Sequence, residues 1–449
     1  MVLAAALIVV GAGVVGLIAL ALSRGAQGPD PSFGGRIVVV TADGSIETMT
    51  ADGGAIHHFP LADGTFLFPS WSPDGTRVAA IGVHDDAGAI FVLADGAQNP
   101  EALPEPIYES AERPPFYLYW SPDGTRVTFL TTEADGLALR VADAGGSTPA
   151  TVVRRGAPFY WDWTGDSELL VHVGGTGPAA FVGASDLTGS TGASRGIPGR
   201  FQAPVVSPVD GSLAFVRSTT DPAGEVVIAD ATGAEVTSVP VSGPTALGWS
   251  PAAAELAFIE PDAGSALPIG RLRIAVPGGR VPRTISDHDV VAFFWAPDGR
   301  TVAVLQLPRA DDRQVARTGV SGRAVAYAAA RPGTADAGPA DAGPAPAARP
   351  GPADAGPAAA EGELRLAFID PASGTERSSR SVRVAATFVR QLLPYFDQYA
   401  LSHRLWSPDG RVIVLPLVGD VDGAQVTVLP ADGSEARPIA PGEIAFWAP

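Results

Sequence analysis

One five-residue motif, Trp-Ser-Pro-Asp-Gly, recurs through this chain and limits what it can fold into more than any other feature. It stands intact at 71–75, 120–124 and 406–410. Degenerate copies begin at Trp163, Val206, Trp249 and Trp295, and a truncated copy, Trp-Ala-Pro, begins at Trp447. Seven of the eight tryptophans occupy this one position, so chance does not explain the pattern. Successive copies lie 41 to 49 residues apart, with a single interval of 111 between Trp295 and Trp406. Repeats of about 40–50 residues holding several strands each are those of propeller blades.

The turn chemistry suits a tight hairpin. Pro pre-sets φ at the second turn position, Asp bonds nearby backbone, and Gly accepts positive φ. Segments after the turn (77–81, 126–130 and 301–305) are apolar and rich in β-branched residues, as buried strands are. A third strand follows (89–95, 137–143, 225–230), then a more polar fourth (150–154, 234–239). Four strands grading from apolar to polar match a blade that runs from a central channel to a solvated rim. Strands at 36–41, 45–50 and 55–59 precede the first motif without an inner partner, and an inner strand at 443–447 lacks the other three. Pairing them closes the ring without exposed edges. The predicted fold class is all-β: a single β-propeller over 36–449 with about eight four-stranded blades, closed by N- and C-terminal strands and preceded by an N-terminal transmembrane helix. Seven blades is the alternative, if the copy near Val206 or the 290–385 region is not a blade.

The motif resembles the WD40-like repeat of the TolB-like propellers and of the related prolyl-oligopeptidase-type propellers, over roughly residues 36–449. That resemblance implies the fold and an extracytoplasmic, bacterial setting. TolB itself has a separate N-terminal α/β domain and fewer blades, and prolyl oligopeptidases carry a hydrolase domain. This sequence shows neither, and a fold does not carry a function by itself.

Residues 2–22 form an uncharged run of apolar and small residues, long enough at 1.5 Å per residue to cross the ~30 Å core of a bilayer. A transmembrane anchor or uncleaved signal over 1–24 is expected, followed by a Gly- and Pro-containing linker over 25–35. A cleaved signal and a buried soluble helix are the alternatives; the run lacks the basic start of a signal peptide, and Ala19-Leu20-Ala21 is a poorly placed cleavage site. Arg24 is the one nearby charge and by the positive-inside rule favours a cytoplasmic propeller, whereas the family resemblance implies the opposite side. The expected localisation is a single-pass protein of the cell membrane with its propeller outside the cytoplasm. The formal net charge is −18 and all thirty basic residues are arginine. An acidic surface with no basic stripe repels phosphate backbones, so no nucleic-acid partner is expected. Cysteine is absent, which excludes disulfides, thiolate metal sites and a lipobox-type lipid anchor.

The 111-residue interval holds two insertions. The first, 308–362, repeats Asp-Ala-Gly-Pro-Ala at Asp336, Asp341 and Asp354, and such a composition predicts a disordered loop between strands two and three of the seventh blade. The second, 385–403, places Phe388, Leu392 and Phe396 at four-residue spacing, which predicts a short amphipathic helix that Pro394 interrupts. In a four-stranded meander the second-to-third and fourth-to-first connections emerge on one face, so both insertions crowd one mouth of the ring. Tyr395, Phe396, Asp397, Gln398, Tyr399, Ser402 and His403 are the candidate face for a partner or ligand there; plugging of the channel is the structural alternative.

No catalytic constellation is legible. There is no Gly-x-Ser-x-Gly elbow; of the six histidines, His57 and His58 are adjacent and point to opposite faces of one strand, and His84, His172, His288 and His403 are scattered over other repeats, so no catalytic residues, metal site or cofactor is expected. Asp287-His288-Asp289 and 420–423 are too short for calcium loops and lack a closing Glu. The expected function is a membrane-tethered, extracytoplasmic, TolB-like module for protein interaction or scaffolding, not an enzyme, with a protein or cell-envelope partner. The alternative is an enzyme or a small-ligand or glycan sensor with its site at the channel mouth.

Overall fold

The motif serine explains why the turn recurs. In the computed structural model Ser72 Oγ donates to Asp74 Oδ1 (2.6 Å) and accepts the Arg77 amide (3.0 Å), while the same Asp74 oxygen accepts the Thr76 amide (3.1 Å). Ser121 repeats this with Asp123 and Arg126, and Ser407 with Asp409 and Val412. Gly75, Gly124 and Gly410 sit at φ of 68°, 67° and 67°, a region where a Cβ is strained. Each turn therefore satisfies its own polar groups and needs nothing from the core.

The structure describes residues 34–449 apart from 62, 85–86, 97–103, 135, 158, 166, 175–179, 200–201, 220–223, 262–264, 266, 309–361 and 420–422. Among the described residues eight antiparallel units follow one another along the chain. Blade 1 joins Ile444–Trp447 to Arg36–Val40, Ile46–Thr50 and His57–Phe59, with Val38 opposite Phe446; this is the closure expected from the sequence. Blades 2 and 3 are regular, from inner strands Gly64–Trp71 and Pro115–Trp120. The inner strands of blades 4, 5 and 6 are Phe159–Trp163, Val205–Val206 and Leu247–Trp249. Strand Arg283–Trp295 closes blade 6 as its outer strand and opens blade 7 as its inner strand.

Burial follows position in the blade. Second strands such as Val412–Val418 are buried over five consecutive residues, because both their faces stack on neighbouring blades. Outer strands such as Glu376–Val384 bury mainly Val382 and Val384, the alternation of a strand with one wet face.

The repeated tryptophan is the clamp between blades. Its indole N–H donates to the backbone carbonyl just before the tryptophan position of the preceding blade: Trp71 to Phe446 (3.2 Å), Trp120 to Ser70 (2.9 Å), Trp249 to Val205 (3.2 Å), Trp295 to Gly248 (3.1 Å) and Trp406 to Phe294 (2.9 Å). A fully buried indole needs such an acceptor.

Three units depart from four regular strands. Blade 4 has three; its fourth segment contributes a single bridge, Ser185 to Thr191, and the Arg195 amide donates to the Val182 carbonyl. The inner strand of blade 5 is two residues long, where Pro204 precedes it and Pro208 follows. Blade 8 has no regular inner strand; only the bridges Arg404–Trp447 and Trp406–Ile413 mark its place. The expected anchor 1–24, the expected linker 25–35 up to residue 33, and the interior of the 308–362 insertion lie outside the described residues. No helix among the described residues is long and apolar enough to cross a membrane.

Candidate functional site at the channel axis

The missing inner strand of blade 8 has been replaced by the second insertion. Residues 385–403 fold as a π-helical turn Phe388–Leu392, a 3-10 turn Leu393–Tyr395 and an α-helix, α1, Phe396–Ser402. The helical path changes pitch where Pro394 removes a backbone N–H. Phe396, Asp397, Gln398 and Tyr399 of α1 are all buried, so the amphipathic pattern read from the sequence has little solvent to face.

What surrounds α1 is the ring of inner strands. Phe396 meets Phe293 and Phe294 of blade 7 at ring centroids of 5.5 and 5.8 Å. Tyr399 packs on Phe68 of blade 2 (5.0 Å) and Tyr117 of blade 3 (5.1 Å), and His403 on Phe446 of blade 1 (4.6 Å). An innermost strand has one edge without a neighbour, and its buried N–H and C=O groups need partners. α1 supplies them. Gln398 Oε1 accepts the Trp161 amide (3.1 Å), and its Nε2 donates to the Trp161 carbonyl (2.9 Å) and to Tyr117 Oη (3.1 Å). Asp397 Oδ2 accepts the Ala203 amide (2.9 Å), and Ser70 Oγ donates to the Ser402 carbonyl (2.7 Å).

The His403 ring is oriented from both sides. Phe68 sits at φ +46° beside a bulge in the blade 2 inner strand, an uncommon conformation for a bulky residue, and its carbonyl lies 3.2 Å from His403 Nε2. A carbonyl only accepts, so Nε2 carries the proton and Nδ1 accepts from Ser402 Oγ (2.6 Å). Ser402 Oγ in turn lies 2.7 Å from Tyr117 Oη.

Burial governs the charge of these groups. It pushes the Asp397 carboxyl up to about 6 against the pull of the Ala203, Gln398 and Asp397 backbone amides, and does the same to Asp162, up to about 6, against the Val206 and Trp163 amides and the Tyr119 hydroxyl. It pulls His403 down to about 4, so the imidazole is neutral at pH 7, and it raises the Tyr117 and Tyr399 hydroxyls.

The structure thus brings the seven candidate residues together at the channel axis. Five of them, Phe396, Asp397, Gln398, Tyr399 and His403, are buried, and Tyr395 and Ser402 are partly exposed. Sequence reasoning stopped at His403 and missed Tyr117, Asp162 and Arg404, although a signal for the last two exists. Aligned on the repeat, Asp162 is the one charged residue directly before the tryptophan position, and Arg404 the one charged residue two before it. His57 is engaged at the rim with Asp95 (2.9 Å), and among the described residues no three His, Asp or Glu side chains are grouped as metal ligands.

Solved structures share this architecture. The dihydro-heme d1 dehydrogenase NirN superposes with a TM-score of 0.50 at 15% identity, over 93% of this chain and 75% of that one. The chain is a β-propeller. Apo AztD from Citrobacter koseri aligns with this propeller at TM-score 0.48 and 14% identity, over 92% and 98% of the two chains. TolB from Acinetobacter baumannii, whose family the repeat resembles, aligns at TM-score 0.36 and 18% identity, over 59% and 67%. No family model matches the propeller sequence, and no curated protein does.

Proposed function

We propose that this propeller is a recognition module, tethered to the membrane by residues 1–24 and held outside the cytoplasm, that binds a protein or cell-envelope partner and performs no chemistry itself. The observation that carries this reading is α1. The channel mouth where blade loops converge, and where a ligand-transforming site in a propeller would sit, is filled by Phe396, Gln398 and Tyr399 packed on the inner strands. What that face offers a partner is its loops, including Glu112 in the blade 2 to 3 link and Pro394 in the second insertion, both exposed.

The test uses the full chain as bait in cell-envelope extracts. The double variant Glu112→Lys with Pro394→Asp alters only exposed positions and should lower recovery of the captured partner about tenfold, with the melting temperature kept. Unchanged recovery removes the assignment to this face. Protease treatment of intact cells should cleave the propeller; full protection until lysis overturns the location.

A further inference from the structure

We propose that blades 4 and 5 are joined through an internal hydration site, in which His172 and Gln202 hold ordered water inside an otherwise apolar interface. The register of the repeat singles His172 out. Three residues on from the partner of each tryptophan position, the second strands carry Val40, Ile81, Leu130, Val216, Ile259, Leu305 and Pro416 in the other seven blades, and His172 in blade 4. This position faces the next blade. Leu170, two residues earlier and so on the same side of its strand, packs with Leu213, Ala229 and Val206 of blade 5. An imidazole has been placed where the fold elsewhere packs an apolar side chain.

The imidazole is fully buried, and neither ring nitrogen has a hydrogen-bond partner among the described residues. Burial pulls its pKa down to about 4, against the weaker pull of its own carbonyl and that of Val216. The ring is therefore neutral at pH 7, with one donor and one acceptor nitrogen. Gln202, just before the Ala203 amide that Asp397 holds, is 1% exposed, and neither its Oε1 nor its Nε2 has a partner among the described residues.

The two side chains converge on one carbonyl. Val216 accepts the Gly199 amide at 3.0 Å, and a Cβ on Gly199 would stand 2.8 Å from Gln202 Oε1 and 3.1 Å from the Val216 oxygen. The His172 ring is drawn toward that same oxygen without closing a hydrogen bond to it. Buried polar atoms left unpaired are costly, and native interiors satisfy them with another group or with ordered water. A polar interior site holds water, which makes about three hydrogen bonds, whereas an apolar one stays dry. A neutral imidazole, a primary amide and a carbonyl supply both donors and acceptors for such a water. They are a poor set for a metal ion, since one histidine and no carboxylate leave a buried positive charge uncompensated. The joint also lacks an indole clamp, because Val206 stands at the tryptophan position, and the water bridge takes over that link. Its failure would leave partner recognition at the channel mouth untouched.

The experiment records oxygen-17 relaxation dispersion of water with the full-length protein, which counts internal waters that exchange slowly with solvent. Melting temperatures are measured beside it for His172→Leu, Gln202→Leu and the double variant. The double variant restores an apolar joint and should lose at least one slowly exchanging water relative to the parent. Each single variant strips the water of a holder and should melt a few degrees lower, and the double variant should recover most of that loss. A crystal structure of the parent tests the site without any variant: a water within hydrogen-bonding distance of a His172 nitrogen and a Gln202 amide atom is expected. Four outcomes overturn the proposal: a water count unchanged in the double variant, single variants that both melt higher than the parent, a direct His172–Gln202 hydrogen bond in the crystal, or a slow-water signal abolished by EDTA.

Discussion

Replacing Gln398 by leucine tests whether α1 holds the ring together or merely fills space. The side chains are close in volume, so the change removes polar atoms with little alteration of shape. Three hydrogen bonds disappear, those to the Trp161 amide, the Trp161 carbonyl and Tyr117 Oη. Tyr117 keeps the Gln398 carbonyl at 3.0 Å and Ser402, but the two backbone groups of the fully buried Trp161 are left at a strand edge with no replacement. Each stranded group costs about 1–3 kcal/mol, and the added apolar burial of leucine recovers a fraction, leaving a net loss of about 2–4 kcal/mol. An unfolding entropy of about 2.1 cal/mol/K per residue amounts to roughly 0.8 kcal/mol/K for a unit of about 400 residues, so the melting temperature should fall by ~3–5 °C. Guanidinium unfolding should show a lower midpoint at constant slope, the sign of a stability change with no change in the surface exposed. A variant within about 0.5 kcal/mol of the parent would refute the edge-capping role and leave α1 as filler.

Three further outcomes follow from the same geometry. Trp120→Phe loses the clamp to Ser70 and the Arg77 guanidinium stacked 5.0 Å from its ring and should cost about 2 kcal/mol in chemical unfolding. Trp163→Phe removes an indole N–H that is buried without a partner and should cost clearly less; equal costs would discount the clamp. Stability should also depend on pH through Asp397. Its folded carboxyl titrates near 6, above its unfolded value, so the folded state binds more protons between about pH 4 and 6 and loses stability as pH rises through that window. His172 and His403, both pulled down to about 4 by burial, act with the opposite sign, losing stability as pH falls below the ordinary histidine range. Asp397→Asn deletes the first contribution, so stability measured from pH 4 to 6 should climb with pH more steeply than in the parent; an unchanged slope would place the Asp397 pKa elsewhere.

The repeat was legible because its information is local. Trp-Ser-Pro-Asp-Gly specifies a self-contained turn, and the spacing of the copies counts the blades, so the ring and its closure by Ile444–Trp447 against Arg36–Val40 could be read before any contact was known. Where blades lost strands the cause was less local. The truncated inner strand at Val205–Val206 follows from its flanking prolines, but the fate of blade 8 depends on what fills a space that all eight blades enclose. Periodicity placed a short helix within 385–403 with the right break at Pro394, yet could not say that Asp397 would meet Ala203 or Gln398 meet Trp161, pairs separated by 194 and 237 residues. Amphipathic spacing reports one apolar face, and here nearly the whole helix is enclosed. Arg404 and Asp162 went unnoticed because each looks ordinary until aligned with seven uncharged equivalents.

The indole clamps are not evenly distributed, and the gaps have a pattern. Five of the eight joints between blades carry one. The joint between blades 3 and 4 does not, because Thr128 Oγ1 takes the Tyr119 carbonyl (2.8 Å) that Trp163 would use. The joint between 4 and 5 does not, because Val206 stands where a tryptophan would be, and the joint between 8 and 1 leaves Trp447 unpaired. Most of the bonds of α1 and Asp162 fall at or beside these joints, the bond from Ser70 of blade 2 to the Ser402 carbonyl being the exception. Asp162 takes the Tyr119 hydroxyl (3.0 Å) and the Val206 amide (2.8 Å), Gln398 ties Tyr117 to Trp161, Asp397 holds Ala203, and His403 rests on Phe446. The ring is built as an arch with a keystone: its unmortared joints bear on one central block. Under load or heat it should open first at those three joints, and only after the block has shifted, so amides beside Trp161 and Ala203 should exchange in step with those of α1.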